Sequence, residues 1–384
     1  MFDAIRPILF SIDPEIAHDL SLSILPACAF AATPYKTLAL AMASDFDESQ
    51  LIRLKTRALG GILDNPLVLA AGLDKNGLHT AHWHALGFGS VEIGSVTARP
   101  SNGNPRPRLF RLPRDQAAIN RMGLNGQGAA AVSQRLIRQR QNQDLGVHYG
   151  INIARSNRSF ATVDQEIEDV VEAFASFAGV SAAYYALNIS CPNTHDGLKF
   201  EIDKTDSTLS ALAPVRQTLQ KPLYIKISND AATDFVDDLL VLLDRHEVTG
   251  LIVGNTSTRR NNGERPLETS PARIAEIGAG GLSGRPLFGR MMALLSHLDA
   301  RKPSQLQLIA CGGIDSADRV LQALLAGADA TQLYTAMAYK GPLLPVDISA
   351  DLLQRLRRAG LSIQEIQANR HTASLRRSLG LGEP

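Results

Sequence analysis

The sequence predicts an α/β fold, a (β/α)8 TIM barrel with an N-terminal helical extension. Three observations predict it. From Asn65 onward eight short apolar runs recur, most of them separated by segments of helical period. Polar and glycine-rich residues follow these runs, on the side where such barrels carry their chemistry. Ahead of the alternation stands a stretch whose apolar residues repeat with helical spacing.

In that leading stretch Phe2, Ile5, Leu9 and Ile12 fall on one side, and Ile16, Leu20, Ile24 and Leu25 repeat the pattern. Asp13-Pro14 reads as an N-cap followed by a proline at the first helical position. Residues 1–38 are therefore expected to be helical, packed on the barrel or lying at a lipid interface. The barrel is expected over 39–345, and a helical, basic tail over 346–384. The eight strand candidates are Leu67–Ala71, Ser90–Ile93, Tyr149–Ile153, Tyr184–Asn188, Leu223–Ile227, Gly250–Val253, Gln307–Ala310 and Ala330–Tyr334. Helical patterns over Val163–Ala178, Phe235–Arg245 and Ala317–Ala326 lie between some of them.

Composition bounds the function. Net charge is +1, so global electrostatics select no partner. Between Arg99 and Arg140, however, nine arginines face a single acid, Asp115. That stripe reads as a solvated face, as an anionic membrane contact or as a polyanion site. Three cysteines (28, 191 and 311) without a CxxC exclude a disulfide framework and argue against zinc. No cleavable leader and no uninterrupted apolar run of about 18 residues is evident, so neither export nor membrane spanning is expected.

The residues just past each strand carry the chemistry. Tyr184–Thr194, YYALNISCPNT, begins as a buried strand and ends in amides, a hydroxyl and a thiol, with Pro192 ending regular pairing. Asn120, Asn188, Asn193 and Asn255, with Thr256, would converge on one barrel mouth and suit a planar heterocycle. Lys75 and Lys226 close strands one and five, where a lone buried lysine is costly, so an anionic ligand is expected there. The glycines at 280–281, 284 and 312–313 can bring backbone N–H groups to a phosphate. Cys191 is the candidate acid/base or nucleophile. No paired acids suggest glycoside chemistry, and no acid–histidine cluster suggests a metal.

These residues resemble the dihydroorotate dehydrogenases, specifically the membrane-associated, quinone-using class. The resemblance runs from Phe2 to about Pro342 and rests on strings in order: DPEIAHDL, NPLVLAAGLDKNG, GFGSVEIGSVTARPSNGNPRPRLFRL, INRMGLN, LNISCPNT, GGLSGRPL, CGGIDSADRV and LYTAMAYKGP. It implies an FMN-containing barrel that oxidises dihydroorotate to orotate in pyrimidine biosynthesis and passes electrons to a quinone. Lys75, Asn120, Asn188, Asn193, Asn255 and Thr256 would hold the substrate. Ala71, Gly72, Ser95, Asn152, Asn188, Lys226, Gly284, Gly313, Tyr334 and Thr335 would hold FMN. Cys191 would take the substrate's proton, and Arg111 would face a quinone tunnel covered by the N-terminal helices. A peripheral attachment to the cytoplasmic face of the inner or cell membrane follows, with no nucleic-acid partner.

Three features depart from that class. Cys191 stands where the quinone class has serine, and Leu124 where it has phenylalanine; both match the soluble class instead. The continuation THDGLKFE is one residue longer than usual. The departures bear on the pH profile and on the substrate. They leave open a paralogous FMN oxidoreductase acting on another pyrimidine-like ring, or one using a soluble acceptor such as fumarate. An RNA-modifying flavin barrel would need a helical domain after the barrel, where only about fifty residues remain. A catalytically silent phosphate-binding module is disfavoured by the complete ligand set.

Overall fold

Short β-rich runs buried on both faces can be satisfied only in a parallel sheet covered by helices, and closing that sheet removes its edges. The computed structural model, which describes residues 2–142, 146–190, 202–260, 266–370 and 372–381, has that arrangement. Strands β1 (Leu67–Leu69), β2 (Ser90–Val96), β3 (Tyr149–Ile153), β4 (Tyr184–Asn188), β5 (Leu223–Ile227), β6 (Gly250–Val253), β7 (Gln307–Cys311) and β8 (Ala330–Leu333) pair in chain order, and β8 closes on β1. The fold class read from the sequence is borne out. Two bounds differ most: β1 stops two residues early, and β2 continues to Val96 through a register shift against β3.

Alternation along the strands sorts residues between two environments. Val68, Tyr184, Ala186, Tyr224, Ile252, Ile309 and Ala330 form the apolar core inside the barrel. Ala58, Leu59 and Leu63, from the hairpin Thr56–Ala58/Gly61–Leu63, join that core and plug the end where the strands begin. Further along the strands the interior turns polar: Glu92, Asn152, Lys226 and Gln332 are all buried there. Gly150 makes room for this arrangement, because a Cβ at that position would lie 2.1 Å from the Tyr184 ring. Gly150→Ala is expected to cost about 1–3 kcal/mol, read as a lower denaturant midpoint. An unchanged midpoint would show that the ring moves aside freely.

Helix α1 (Phe2–Ser11) leads into α2 (Pro14–Ala43). The Asp13 carboxylate accepts from the Glu15 and Ile16 amides, and Pro14 opens the helix. α2 continues five residues past Leu38 and, at 30 residues, is long and apolar enough to cross a membrane by length and composition alone. The sequence shows no unbroken apolar run there because Ser21, Ser23 and Thr33 interrupt it. One side of α2, including Leu25, Ala29 and Ala32, is buried against the protein. Ile16, Leu20, Ile24, Phe30, Leu38 and Met42 are exposed. The C-terminal helices Leu344–Ala359 and Ile363–Ala368 bury Leu352, Leu356, Ile363 and Ile366 in the core that surrounds the barrel.

The arginine stripe is only partly a solvated face: Arg99, Arg106, Arg114, Arg138 and Arg140 are exposed, whereas Arg108, Arg111, Arg121 and Arg135 are drawn into the fold. Arg108 is buried on Glu15 (2.7 Å), which also binds Arg106 (3.0 Å). Arg121 donates to the Ile277 and Ala279 carbonyls, and Arg135 to the Asn76 carbonyl. These guanidiniums fasten long loops to one another, a use suited to their fixed fork of donors. Charge counting cannot reveal it, since most of the acceptors are backbone carbonyls.

Candidate active site

Three antiparallel strands, Leu109–Leu112, Ala117–Asn120 and Gly281–Gly284, form a small sheet outside the barrel with Ala117–Asn120 in the middle. The glycine-rich segment expected to be a loop is thus partly a strand, paired residue for residue with Ala117–Asn120. This sheet carries Arg111, Asn120 and Ser283 into the lining of a cavity of about 370 Å³. Apolar residues of α1 and α2, among them Leu9, Phe10, Leu22 and Leu25, line the same cavity. A smaller cavity of about 80 Å³ adjoins it and shares Ala71, Lys226, Asn255, Thr256, Tyr334 and Thr335. Gly284 and Gly313 line the smaller one. Both have positive φ (99° and 70°), and a Cβ would meet the Gln116 carbonyl at 2.5 Å and the Phe288 amide at 2.8 Å.

The predicted site residues converge. Lys75, Gly72, Ser95, Arg111, Asn120 and Asn188 line the larger cavity together with the shared set. Asn152 is the exception, fully buried and set behind Ser95, whose hydroxyl it binds. Cys191 and Asn193 lie outside the described residues. Leu124 lines the larger cavity.

Electrostatics divide the two lysines. Burial pushes the Lys75 ammonium down to about 8, against the pull of Glu15, and no hydrogen bond from it to the protein is described. Burial would also depress Lys226, but Glu92, 2.9 Å away, outweighs it and holds the ammonium above the ordinary lysine value. The expectation that Lys226 needs an anionic ligand is therefore corrected, because the chain itself supplies the anion. His18, which the motif reading did not single out, lines the larger cavity, and burial, aided by Lys75, pushes its imidazole down to about 4. Arg111 donates to the Ile12 carbonyl (3.1 Å) and stacks over the Phe10 ring (4.8 Å), so it is tied to the N-terminal helices. Thr256 Oγ1 is buried at the junction of the cavities with no hydrogen-bond partner among the described residues.

Such a site offers a cationic and amide-lined mouth, a glycine-lined lobe and a separate apolar approach. It suits a small anionic heterocycle beside a larger phosphate-bearing group, with a lipophilic reactant reaching them from the helices. The dihydroorotate dehydrogenase family profile matches residues 53–356, which is most of the chain. The chain belongs to the dihydroorotate dehydrogenase family. Its relatives include the dihydroorotate dehydrogenase (quinone) of Chloroflexus aurantiacus, 39% identical over 361 residues, covering 91% of this chain and 95% of that one. The enzyme of the same name from Thermus thermophilus is 36% identical, with 92% and 96% covered. Among solved structures, the ligand-free DHODH of Eimeria tenella superposes with a TM-score of 0.78 at 28% identity, covering 94% of this chain and all of that one. Its complex with ferulenol gives 0.75 at 29% identity, with 92% and 94% covered. The match to the dihydroorotate dehydrogenase profile begins after α2. The 9% of the chain outside the Chloroflexus alignment is fewer than the 52 residues before position 53, so quinone-enzyme similarity reaches into the helical extension.

Proposed function

We propose that the chain oxidises dihydroorotate to orotate in pyrimidine biosynthesis and delivers the electrons to a quinone. One observation carries the reading: an apolar cavity roofed by α1 and α2 runs into the amide- and lysine-lined barrel mouth. A soluble acceptor such as fumarate would have no use for that approach. The exposed Ile16, Leu20, Ile24 and Phe30 support peripheral attachment to a membrane at its cytoplasmic face, where a quinone dissolved in lipid meets the cavity.

The residues fit FMN. Gly284 and Gly313 leave a cradle that side chains would fill, Thr256 Oγ1 lacks a partner among the described residues, and Lys226 stands between the two cavities. Ala71, Gly72, Ser95, Asn188, Lys226, Gly284, Gly313, Tyr334 and Thr335 would hold it, with Asn152 one hydrogen bond behind. Bound there, FMN supplies a hydride acceptor that a quinone can reoxidise. The protein's own part is positioning and charge. Lys75 and the amides of Asn120, Asn188, Asn193 and Asn255 orient the anionic ring, with Thr256 beside them. The Cys191 thiolate takes the ring proton onto Sγ, and Lys75 offsets negative charge as it develops. Arg111 faces the quinone.

Anaerobic titration with dihydroorotate tests the reading. Purified protein should be yellow, and its flavin absorbance should bleach stoichiometrically as orotate appears. A flavin that stays oxidised would move the substrate to another ring, and a colourless protein would remove flavin chemistry altogether.

A further inference from the structure

Glu92 is the residue on which the polar barrel layer converges, and neither the site reading nor the proposed mechanism uses it. Its side chain is fully buried on β2, and four donors meet its two oxygens. Lys226 Nζ (2.9 Å) and Asn152 Nδ2 (3.1 Å) reach Oε1, while Gln332 Nε2 (2.7 Å) and the Tyr184 hydroxyl (3.2 Å) reach Oε2. Those donors come from β5, β3, β8 and β4, so a single carboxylate binds half of the barrel's strands to itself. A carboxylate has about four acceptor positions and no donor, so Glu92 is saturated.

That saturation propagates. Asn152 must turn Nδ2 toward Glu92, which leaves Oδ1 to accept from the Ser95 hydroxyl. Ser95, having donated, accepts from Asn188 Nδ2 (3.0 Å). Asn188 then presents Oδ1 to the Ser190 hydroxyl (2.8 Å), which in turn accepts from Asn255 Nδ2 (3.0 Å). Every bond in this chain runs the same way, from Asn255 through Ser190, Asn188, Ser95 and Asn152 to Glu92. The Ser190 and Thr256 backbone amides donate to the Asn188 and Asn255 oxygens (3.1 and 2.8 Å) and turn those two amides in the same sense. Glu92 itself therefore decides the Asn152 amide and, through it, the Ser95 hydroxyl that meets Asn188.

We propose that Glu92 is a positioning residue of this site: it holds the Lys226 ammonium at the junction of the two cavities and sets the direction of the Asn152 amide, and so of the Ser95 hydroxyl against which Asn188 rests. The proposal rests on the FMN and orotate reading above, and it gives a buried ion pair a use beyond stability. Stability alone would favour apolar replacements, since desolvating both charges offsets most of their attraction. Here one ligand-facing cation and the amide behind Ser95 take their donor pattern from the same carboxylate.

Glu92→Gln tests it in the full-length protein. Glutamine offers one oxygen and two further donors to a position that already receives four, so one donor–donor clash remains around Lys226. Both FMN and orotate should bind about tenfold more weakly, the first read by reconstitution of flavin-free protein and the second by the absorbance change of bound flavin. FMN affinity should also fall as pH is raised above neutral, because burial lowers the Lys226 ammonium once the Glu92 charge that opposes it is gone. The other titratable group facing Lys226 is the Cys311 thiol, which burial pushes up. Adding Gln332→Glu moves the carboxylate across Lys226, which Gln332 Oε1 already contacts at 2.9 Å. The double variant should recover affinity to within about threefold and lose the pH dependence. A space-filling role for Glu92 predicts no such rescue.

Wild-type affinities in Glu92→Gln, or a double variant no better than the single one, would overturn the proposal. If Glu92→Gln does not fold, Ser95→Ala cuts the chain between Asn152 and Asn188 and should weaken orotate about fivefold while FMN affinity stays independent of pH; unchanged orotate affinity there overturns the directed chain. Wild-type protein that takes up neither FMN nor orotate would remove the functional reading and this one with it. Wild-type binding of both, with Glu92→Gln unaffected, removes this one alone.

Discussion

Lys75→Ala is expected to lower kcat/KM for dihydroorotate by about a thousandfold while leaving bound flavin in place. The side chain projects into the larger cavity just beyond β1, and no protein acceptor for its ammonium is described. A buried ammonium with no acceptor among the described residues is expensive, so the energy recovered when an anion arrives is large. Its depressed value of about 8 also fixes a pH signature. Below pH 8 the free protein carries the charged form, and KM for the anionic substrate should be flat. Above it the charge is lost, and KM should rise about tenfold per pH unit. Steady-state kinetics between pH 6 and 10, with flavin content measured on the same samples, check both points. Equal loss of flavin and activity would make Lys75 a cofactor ligand instead.

Glu15→Gln should be nearly as damaging, by a different route. Glu15 receives Arg108 and Arg106, and the first of these is almost wholly buried, with side chains 6% and 7% exposed on the two partners. Exchanging the carboxylate for an amide leaves the buried guanidinium without its counter-ion, held by neutral acceptors such as the Asn102 and Asn104 carbonyls. The expected cost is about 3–5 kcal/mol, concentrated where α2 meets the loop before Leu109. Turnover with quinone should collapse, whereas flavin reduction by dihydroorotate, which needs only the barrel mouth, should persist. Parallel loss of both half-reactions would show that the helices support the barrel itself. Acid should imitate the variant. Burial raises the Glu15 carboxyl, but Arg108 and Arg106 outweigh it and hold it below the ordinary glutamate value. Its stabilisation is therefore complete above the unfolded value near 4.5 and lost as pH falls through the folded one.

The barrel was legible because its signal is local and repeated. Eight apolar runs, each ending in polar or glycine-rich residues, leave few alternatives, and the strand-end residues accordingly met around adjoining cavities. The small antiparallel sheet was not legible, because Gly281–Gly284 has turn composition and becomes a strand only by pairing with Ala117–Asn120, far away in sequence. Lys226 shows the same limit on the side of charge. Its partner Glu92 lies 134 positions earlier, inside a run that reads as an ordinary buried strand. A signal did exist there, since an acid in the middle of SVEIGSV can be buried only with donors around it. His18 sat within a quoted string and went unassigned, because its chemistry depends on burial that no spacing encodes.

Helix α2 is fixed at both ends. Near its start Glu15 grips Arg108 and Arg106, and at its end Arg357 donates to the Ala43 carbonyl (2.6 Å) and pairs with Asp45. Between them Tyr35 binds Asp347 on the helix Leu344–Ala359 (2.5 Å). Thirty residues span about 45 Å, longer than a bilayer's hydrocarbon core is thick. A rod of that length clamped at both ends to the barrel cannot stand upright in lipid without dragging the barrel in. Under the proposed peripheral attachment it would lie along the surface as a keel, so the depth at which it floated would decide which part of a lipid-dissolved reactant could reach the barrel.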